Sequence, residues 1–191
     1  FTDVLNYKTN NETRTTQHAF IPRIGAVVTI NKNLNVYGTW VKGFEPQSAS
    51  VQGNPNAGGP FDPEYSQLLE AGLKGEWLDK RLSTTLSFFH LQKRNTLYNA
   101  NDPANPERLE QVGEETSKGI EMDIAGFILP NWSIVANYAY THAAITKTAT
   151  DSEKDFGMQR PNTPRNAFNI WSKYIIETGV LHNFGDRKST R

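Results

Sequence analysis

The chain has 191 residues, enough for one ordinary domain, and its 20 Lys and Arg balance 20 Asp and Glu, so the formal net charge is zero. That balance argues against nucleic-acid binding, which calls for a basic excess. No cysteine is present, which excludes a disulfide framework, a thiolate nucleophile and a Cys-based zinc site.

His18, His90, His142 and His182 lie far apart in sequence and form no short metal motif. No apolar run approaches the length of a transmembrane helix. A mean hydropathy of -0.60 suits a soluble protein, but a membrane barrel with a polar lumen and polar loops can score the same. The chain opens at Phe1 without an initiator Met or a signal peptide, as expected of a processed protein or of part of a longer one.

Residues 1–17 are polar and rich in Thr and Asn, and read as a strand end and a loop. From Phe20 to Ile30 β-formers accumulate (Ile21, Ile24, Val27, Val28, Thr29, Ile30). Asn31-Lys32-Asn33 is a turn signal, and Val36 to Phe44 is a second strand paired across it. Residues 45–66 are dense in Pro, Gly, Asn and Ser; at about twenty residues this is a long connection and a functional candidate. Gln67 to Trp77 alternates, with Leu69, Ala71 and Leu73 on one face and Glu70, Gly72 and Lys74 on the other. A helix is the rival reading there, weakened by Gly72 and Gly75 at roughly 1 kcal/mol each against Ala. Leu78-Asp79-Lys80-Arg81 is a short turn, and Leu82 to Leu91 is the next strand. Residues 92–115 read as a second long connection.

The stretch Gln111 to Thr141 then carries two alternating runs joined by a tight turn. Ile120, Met122 and Ile124 share one face, against Glu121, Asp123 and Ala125. Trp132, Ile134, Ala136, Tyr138 and Tyr140 share a face of the second run, against Ser133, Asn137, Ala139 and Thr141. Each run is about ten residues long, roughly what a tilted strand needs to cross a bilayer. Taken alone, this hairpin fits a soluble sandwich as well as a membrane barrel. Residues 143–164 are a third long connection, and Arg165 to Ile176 is the last clear strand.

Short turns near 31–34, 78–81 and 129–131 therefore alternate with long connections near 45–66, 92–115 and 143–164. In an up-and-down sheet this places all tight turns at one end and all long loops at the other. Transmembrane β-barrels show that asymmetry, and a Greek-key sandwich rarely would. The apolar faces would meet lipid, and Glu70, Lys74, Glu121, Asp123 and Asn137 would meet a wet lumen. A one-residue slip would turn those charges toward lipid, so the register is firmly set. Trp77, Trp132 and Tyr140 sit near the expected strand ends, where an interfacial aromatic girdle belongs; ordinary sheet aromatics are the bland alternative. The expected fold is all-β: an antiparallel up-and-down transmembrane β-barrel, with about seven or eight strands legible.

Four segments carry a resemblance: NVYGTWVKGFEPQ at 35–47, EYSQLLEAGLKGEWLDKRLSTTLSFFHLQKRN at 64–95, QVGEETSKGIEMDIAGFILPNWSIVANYAYT at 111–141 and PNTPRNAFNIWSKY at 161–174. In this order they resemble the barrel of TonB-dependent ferric-siderophore outer-membrane receptors, over roughly residues 18–178. Each signature alone is weak; their specificity lies in four occurring in register. The resemblance implies a segment of a barrel of about 22 strands whose lumen holds a plug, in the outer membrane of a Gram-negative bacterium. It implies a ferric siderophore as transported ligand, with no cofactor bound by the protein itself. It implies the TonB-ExbB-ExbD complex as energising partner, acting through a plug domain, and outer-membrane lipid or lipopolysaccharide as surroundings. The plug, the TonB box and the family's C-terminal barrel strand do not occur in residues 1–191. LHNFGDRKSTR at 181–191 is too short for the next membrane hairpin, and the step from Gly185 to Asp186 reads as abrupt. Alone, such a segment would have two open edges, which do not persist in lipid, and it would not transport.

No residue matches a family-wide catalytic, metal or ligand motif. By position, Phe61, Tyr65, Tyr98 and Phe156 are loop aromatics that could face the chelate; the bland alternative for each is loop packing. Glu121 and Asp123 are paired carboxylates that could do acid/base work, but they suit a solvated lumen better. No nucleophile with a nearby histidine is evident, so the expected class is not an enzyme. The rival class is a soluble or surface β-sandwich binding or adhesion protein.

Overall fold

A computed structural model of the chain describes residues 2–6, 11–15, 19–147 and 156–176. His18, His182, the Gly185–Asp186 step and the middle of the third long connection lie outside the described residues.

The first two strands, β1 (Thr2–Asn6) and β2 (Asn11–Thr15), pair with each other in a separate two-stranded sheet, where the sequence suggested only a strand end and a loop. Seven strands make the main sheet: β3 (Arg23–Asn31), β4 (Leu34–Glu45), β5 (Glu64–Trp77), β6 (Leu82–Asn99), β7 (Leu109–Leu129), β8 (Trp132–Lys147) and β9 (Asn166–Tyr174). Each pairs antiparallel with its neighbour in sequence, with no crossover. One short helix, α1 (Ala49–Gln52), sits in the first long connection, where the Ser48 hydroxyl accepts from the Val51 N–H. No helix of the described residues is long and apolar enough to cross a membrane, which says nothing of strands that cross.

The strand interpretation of Gln67–Trp77 holds. Alternation there is satisfied on both sides, by β4 and by β6, with Leu73 opposite Val36 and Leu86. Gly72 is needed for a close approach rather than for a turn. A Cβ at this position would lie 2.5 Å from the Leu86 carbonyl and 2.7 Å from the Tyr37 ring.

The two-residue and four-residue turns after β3, β5 and β7 fall at one end of the meander, and the connections 46–63, 100–108 and 148–165 fall at the other. The second and third long connections are shorter than the sequence suggested. Residues 92–99 and 109–115, read as loop, continue β6 and β7, and residues 143–147 continue β8. The physical reason is cross-strand charge. Arg94 stands opposite Glu114, and Lys93 opposite Glu115, so a polar stretch that imitates a loop has its partners in the next strand. β7 has 21 residues, about twice what a tilted strand needs to cross hydrocarbon, so its loop-side half would extend beyond a bilayer.

The register lines up two faces. Ala71, Phe88, Ile120 and Tyr140 are successive cross-strand partners, as are Leu73, Leu86, Met122, Tyr138 and Phe168. Thus Ile120, Met122 and Ile124 lie in one apolar surface that continues through β9 with Ile170, and that surface is open: Phe168 is 68% exposed and Leu69 56%. The opposite face carries Tyr37, Glu70, Lys74, Glu121, Asp123 and Asn137. There the Tyr37 hydroxyl bonds Glu70 at 2.7 Å, and the Lys74 ammonium lies 4.9 Å from the Tyr37 ring centre. Among the described residues, the few buried apolar side chains, Ala57, Phe61, Ala143, Ala144 and Ile145, all belong to the loop-side end. A soluble sandwich would instead bury the middle of its sheet.

Trp77 and Trp132 stand at the turn-side ends of their strands. The Trp77 indole donates to Thr84, and the Trp132 indole donates to Ser172 and meets Tyr174 edge-on at 6.5 Å. Tyr140 is mid-strand because β8 runs on to Lys147. It marks the other boundary of the apolar band rather than a strand end.

Candidate ligand-binding rim

At the loop-side end, connections 46–63 and 100–108 are tied into one unit by side chains that cap backbone groups. The Gln52 amide donates to the Phe61 carbonyl at 2.6 Å and accepts from its N–H at 3.0 Å. Asn54 and Asn56 both donate to Glu107, and Asn105 donates back to the Asn56 carbonyl. The Leu109 N–H donates to the Ala57 carbonyl, and Gln111 bridges Asp62 and Asn95. The Asn and Gln content that marks this stretch as loop is what satisfies its backbone away from regular structure.

Beneath that unit, the lumen-side face carries a polar cluster built by three strands and one connection. Lys93 of β6 pairs with Glu64 of β5 at 2.9 Å and stands opposite Glu115 of β7. Arg160, from the third connection, pairs with Glu115 at 3.2 Å and lies 3.9 Å from the Tyr98 ring centre. The Tyr98 hydroxyl donates to the same Glu115 carboxylate. Burial, then the bond to Glu115 and its charge, push the Tyr98 phenol above its ordinary value, with Arg160 opposing. The bond to Glu64 holds the Lys93 ammonium above its usual value, although burial opposes it.

A second cluster surrounds Glu114. Burial alone would raise this carboxyl. Hydrogen bonds from Lys147 and Thr146, with the charges of Lys147 and Arg94, outweigh burial and leave it below its ordinary value. Thr146 and Lys147 donate to it at 3.0 and 3.2 Å, and Arg94 lies 3.4 Å away.

The four aromatic candidates do not converge. Phe61 is 8% exposed and held inside the loop unit. Tyr65 and Tyr98 are on strands, not loops. Tyr65 falls on the same side of β5 as Leu69, meets the Phe44 ring at a tilt with centroids 5.4 Å apart, and so faces away from the lumen. Phe156 is 59% exposed beside Ile145, and Tyr98 is tied to Glu115 and Arg160. Glu121 and Asp123 line a lumen-side cavity of about 350 Å³ together with Asn137 and Asn169. Among the described residues, no three His, Asp or Glu side chains are grouped to hold a metal. Reading the sequence missed Arg160, Glu115, Lys93 and Glu64. Two adjacent bases at 93–94 mirrored by two adjacent acids at 114–115, either side of 100–108, are the signal that would have found Lys93 and Glu115; nothing local marks Glu64 or Arg160.

A family model described as "TonB dependent receptor-like, beta-barrel" matches residues 1–189. The metal-pseudopaline receptor CntO of Pseudomonas aeruginosa is 34% identical over 167 residues, which is 87% of this chain and 22% of that protein. The catecholate siderophore receptor Fiu of Escherichia coli is 30% identical over 172 residues, 86% of this chain and 22% of that one. Among solved structures, the ferripyoverdine receptor of the outer membrane of Pseudomonas aeruginosa, bound to ferripyoverdine, matches with a TM-score of 0.69 and 26% identity. That match covers 90% of this chain and 22% of the receptor. The chain thus spans about a fifth of the length of the curated relatives it matches.

Proposed function

The chain belongs to the TonB-dependent receptor-like β-barrel family of the Gram-negative outer membrane, and from that membership we propose that it supplies seven consecutive wall strands and three extracellular connections to a receptor that imports a ferric siderophore. The observation that carries this reading is the sheet itself: an unbroken meander with an apolar band on one face, charges on the other, and every long connection at one end. A soluble adhesion sandwich has no use for an exposed apolar band of this extent.

On this reading residues 1–191 lie within the barrel domain, and a plug elsewhere in the receptor couples ligand release to TonB-ExbB-ExbD. The chelate meets the rim formed by the tied loop unit and the Tyr98–Glu115–Arg160 cluster. Phe156, exposed beside that cluster, is the first of the four aromatics to test as a chelate contact. The relatives are named for receptors of chemically different chelates, so the wall they share is not what selects the ligand. Glu121 and Asp123 serve as solvated lumen lining rather than as an acid/base pair.

The test is uptake of radiolabelled ferric chelates by iron-starved cells with and without the receptor, in TonB-positive and TonB-negative backgrounds. Uptake of at least one chelate that needs both genes is expected. Uptake of every chelate tried that is indifferent to the receptor would overturn the proposal.

A further inference from the structure

The chain carries no net charge, yet its charges are sorted by place. Connections 46–63 and 100–108 hold Asp62, Asp102 and Glu107 against Arg108 alone. On the lumen side of the rim beneath them, Glu45, Glu64 and Glu115 face Lys93 and Arg160. Balancing cations lie elsewhere. Lys42, Arg94 and Lys118 are on the opposite face of the sheet, and Lys32, Lys80 and Arg81 are in turns at the far end. The ligand-facing end is therefore the acidic end.

Both rim cations are already engaged. The Lys93 ammonium is 2.9 Å from Glu64, and the Arg160 guanidinium is 3.2 Å from Glu115 and rests on the Tyr98 ring. Arg23 lies lower, opposite Val41. Glu45 differs from the other two rim carboxylates. It is exposed, it stands directly opposite Glu64, and among the described residues no cation pairs with it. Like charges directly opposite each other weaken a strand pair, so a positive group arriving at Glu45 relieves a repulsion as well as forming a pair. Lower on the same face, Val41, Leu68 and Leu91 are successive cross-strand partners and make a half-buried apolar shelf.

We propose that this rim selects a ferric chelate of net positive charge, of the linear hydroxamate type with a free ammonium, and that Glu45 receives the ammonium. Each hydroxamate gives up one proton to the ferric ion, and a full set cancels its charge, so the pendant ammonium leaves the complex cationic. Each catecholate gives up two protons, and a full set leaves the complex strongly anionic. An acidic mouth concentrates the first kind of chelate and repels the second. The methylene spacers of a linear hydroxamate lie along Val41, Leu68 and Leu91. The inference rests on the chelate-import reading above and adds to it the charge class of the ligand.

The intact receptor, purified in detergent, is titrated by tryptophan fluorescence with three probes: ferrioxamine B, which carries one terminal ammonium; its N-acetyl derivative, which has the same iron core and no ammonium; and the tris-catecholate ferric enterobactin. Ferrioxamine B should bind roughly two- to fivefold tighter than the acetylated form, the range for one exposed ion pair. Ferric enterobactin should bind weakest of the three. Glu45→Gln should erase the preference between the two hydroxamate forms, and Asp79→Asn, in the turn at the opposite end, should keep it. Added salt should shrink it. The comparison of the two hydroxamate forms on the wild type needs no variant, so it stands even if Glu45→Gln does not assemble. Failure to bind ferrioxamine B, equal binding of the two hydroxamate forms, tighter binding of ferric enterobactin, or a preference unchanged in Glu45→Gln would overturn the inference. Any of these alongside receptor-dependent uptake of another ferric chelate refutes only the charge class, whereas uptake of every chelate without the receptor refutes the import reading itself.

Discussion

The Arg160 guanidinium lies 3.9 Å from the centre of the Tyr98 ring, so a connection residue rests on a strand residue, and both engage the one Glu115 carboxylate. The cluster helps pin residues 156–160, together with backbone ties: the Arg160 N–H donates to the Ala143 carbonyl, the Gly157 N–H donates to the Ile145 carbonyl, and Gln159 bridges to Ala144. Tyr98→Phe removes the hydroxyl bond and keeps the stack, while Tyr98→Ala removes both. Amide exchange across 156–160 should rise slightly in the first and by about tenfold or more in the second, since a cation–π contact of this kind and a charge-assisted bond are each worth roughly 1 kcal/mol or more. Equal exchange in wild type and Tyr98→Ala would mean the pin is elsewhere.

The Glu114 cluster sets an acid limit. Because its folded-state value is depressed, the carboxylate contributes stability that is fully present above the ordinary carboxylate value and is lost as pH falls through the folded value. The loop-side ends of β7 and β8 should therefore loosen only in acid, below about pH 4. Amide exchange at Glu114–Thr116 measured down the pH scale should show this, and Glu114→Gln should flatten the dependence while weakening the ends at neutral pH. An acid response that persists unchanged in Glu114→Gln would assign it to another group.

Phe61 and Phe156 should behave as opposites. Phe61 is 8% exposed and Phe156 59%. Phe61→Ala should speed exchange in 46–63 and in 100–108 together, because hydrogen bonds tie the two connections into one unit. Phe156→Ala should leave exchange unchanged and weaken chelate uptake. Hydrogen exchange and uptake on the same pair of variants check both claims at once.

Gly72 tests the register of the wall. A side chain there meets a backbone carbonyl on one strand and the Tyr37 ring on another. Gly72→Val should cost about 1–3 kcal/mol or more, seen as reduced outer-membrane assembly and a lower temperature of gel heat-modification. Gly72→Val with Tyr37→Ala should recover only part of this, because the Leu86 carbonyl remains.

The wall was legible in the sequence because a period of two survives in each membrane segment, and the one competing helix pattern, at Gln67–Trp77, is weakened by Gly72 and Gly75. Leu69, Ala71 and Leu73 opposite Glu70 and Lys74 already state which way the sheet faces. The extensions of β6, β7 and β8 were not legible. Beyond the membrane neither face meets lipid, so alternation vanishes, and the pairing of Arg94 with Glu114 and Lys93 with Glu115 is what reveals a strand. The rim was legible least. Tyr65 looks like Tyr98 in sequence, yet the two face opposite sides of the wall, and Arg160 gains its role only when the third connection folds back onto Tyr98.

The central claim is that one face of this sheet meets lipid and the other meets water. The chain has no cysteine of its own, so single spin labels can be placed at Glu121, Met122, Asp123, Asn137 and Tyr138 in the intact receptor in bilayers. Collision with oxygen, which partitions into lipid, should peak at Met122 and Tyr138. Collision with a water-soluble nickel chelate should peak at Glu121, Asp123 and Asn137. Uniform access of both reagents along β7 and β8, or the reverse alternation, would contradict the account.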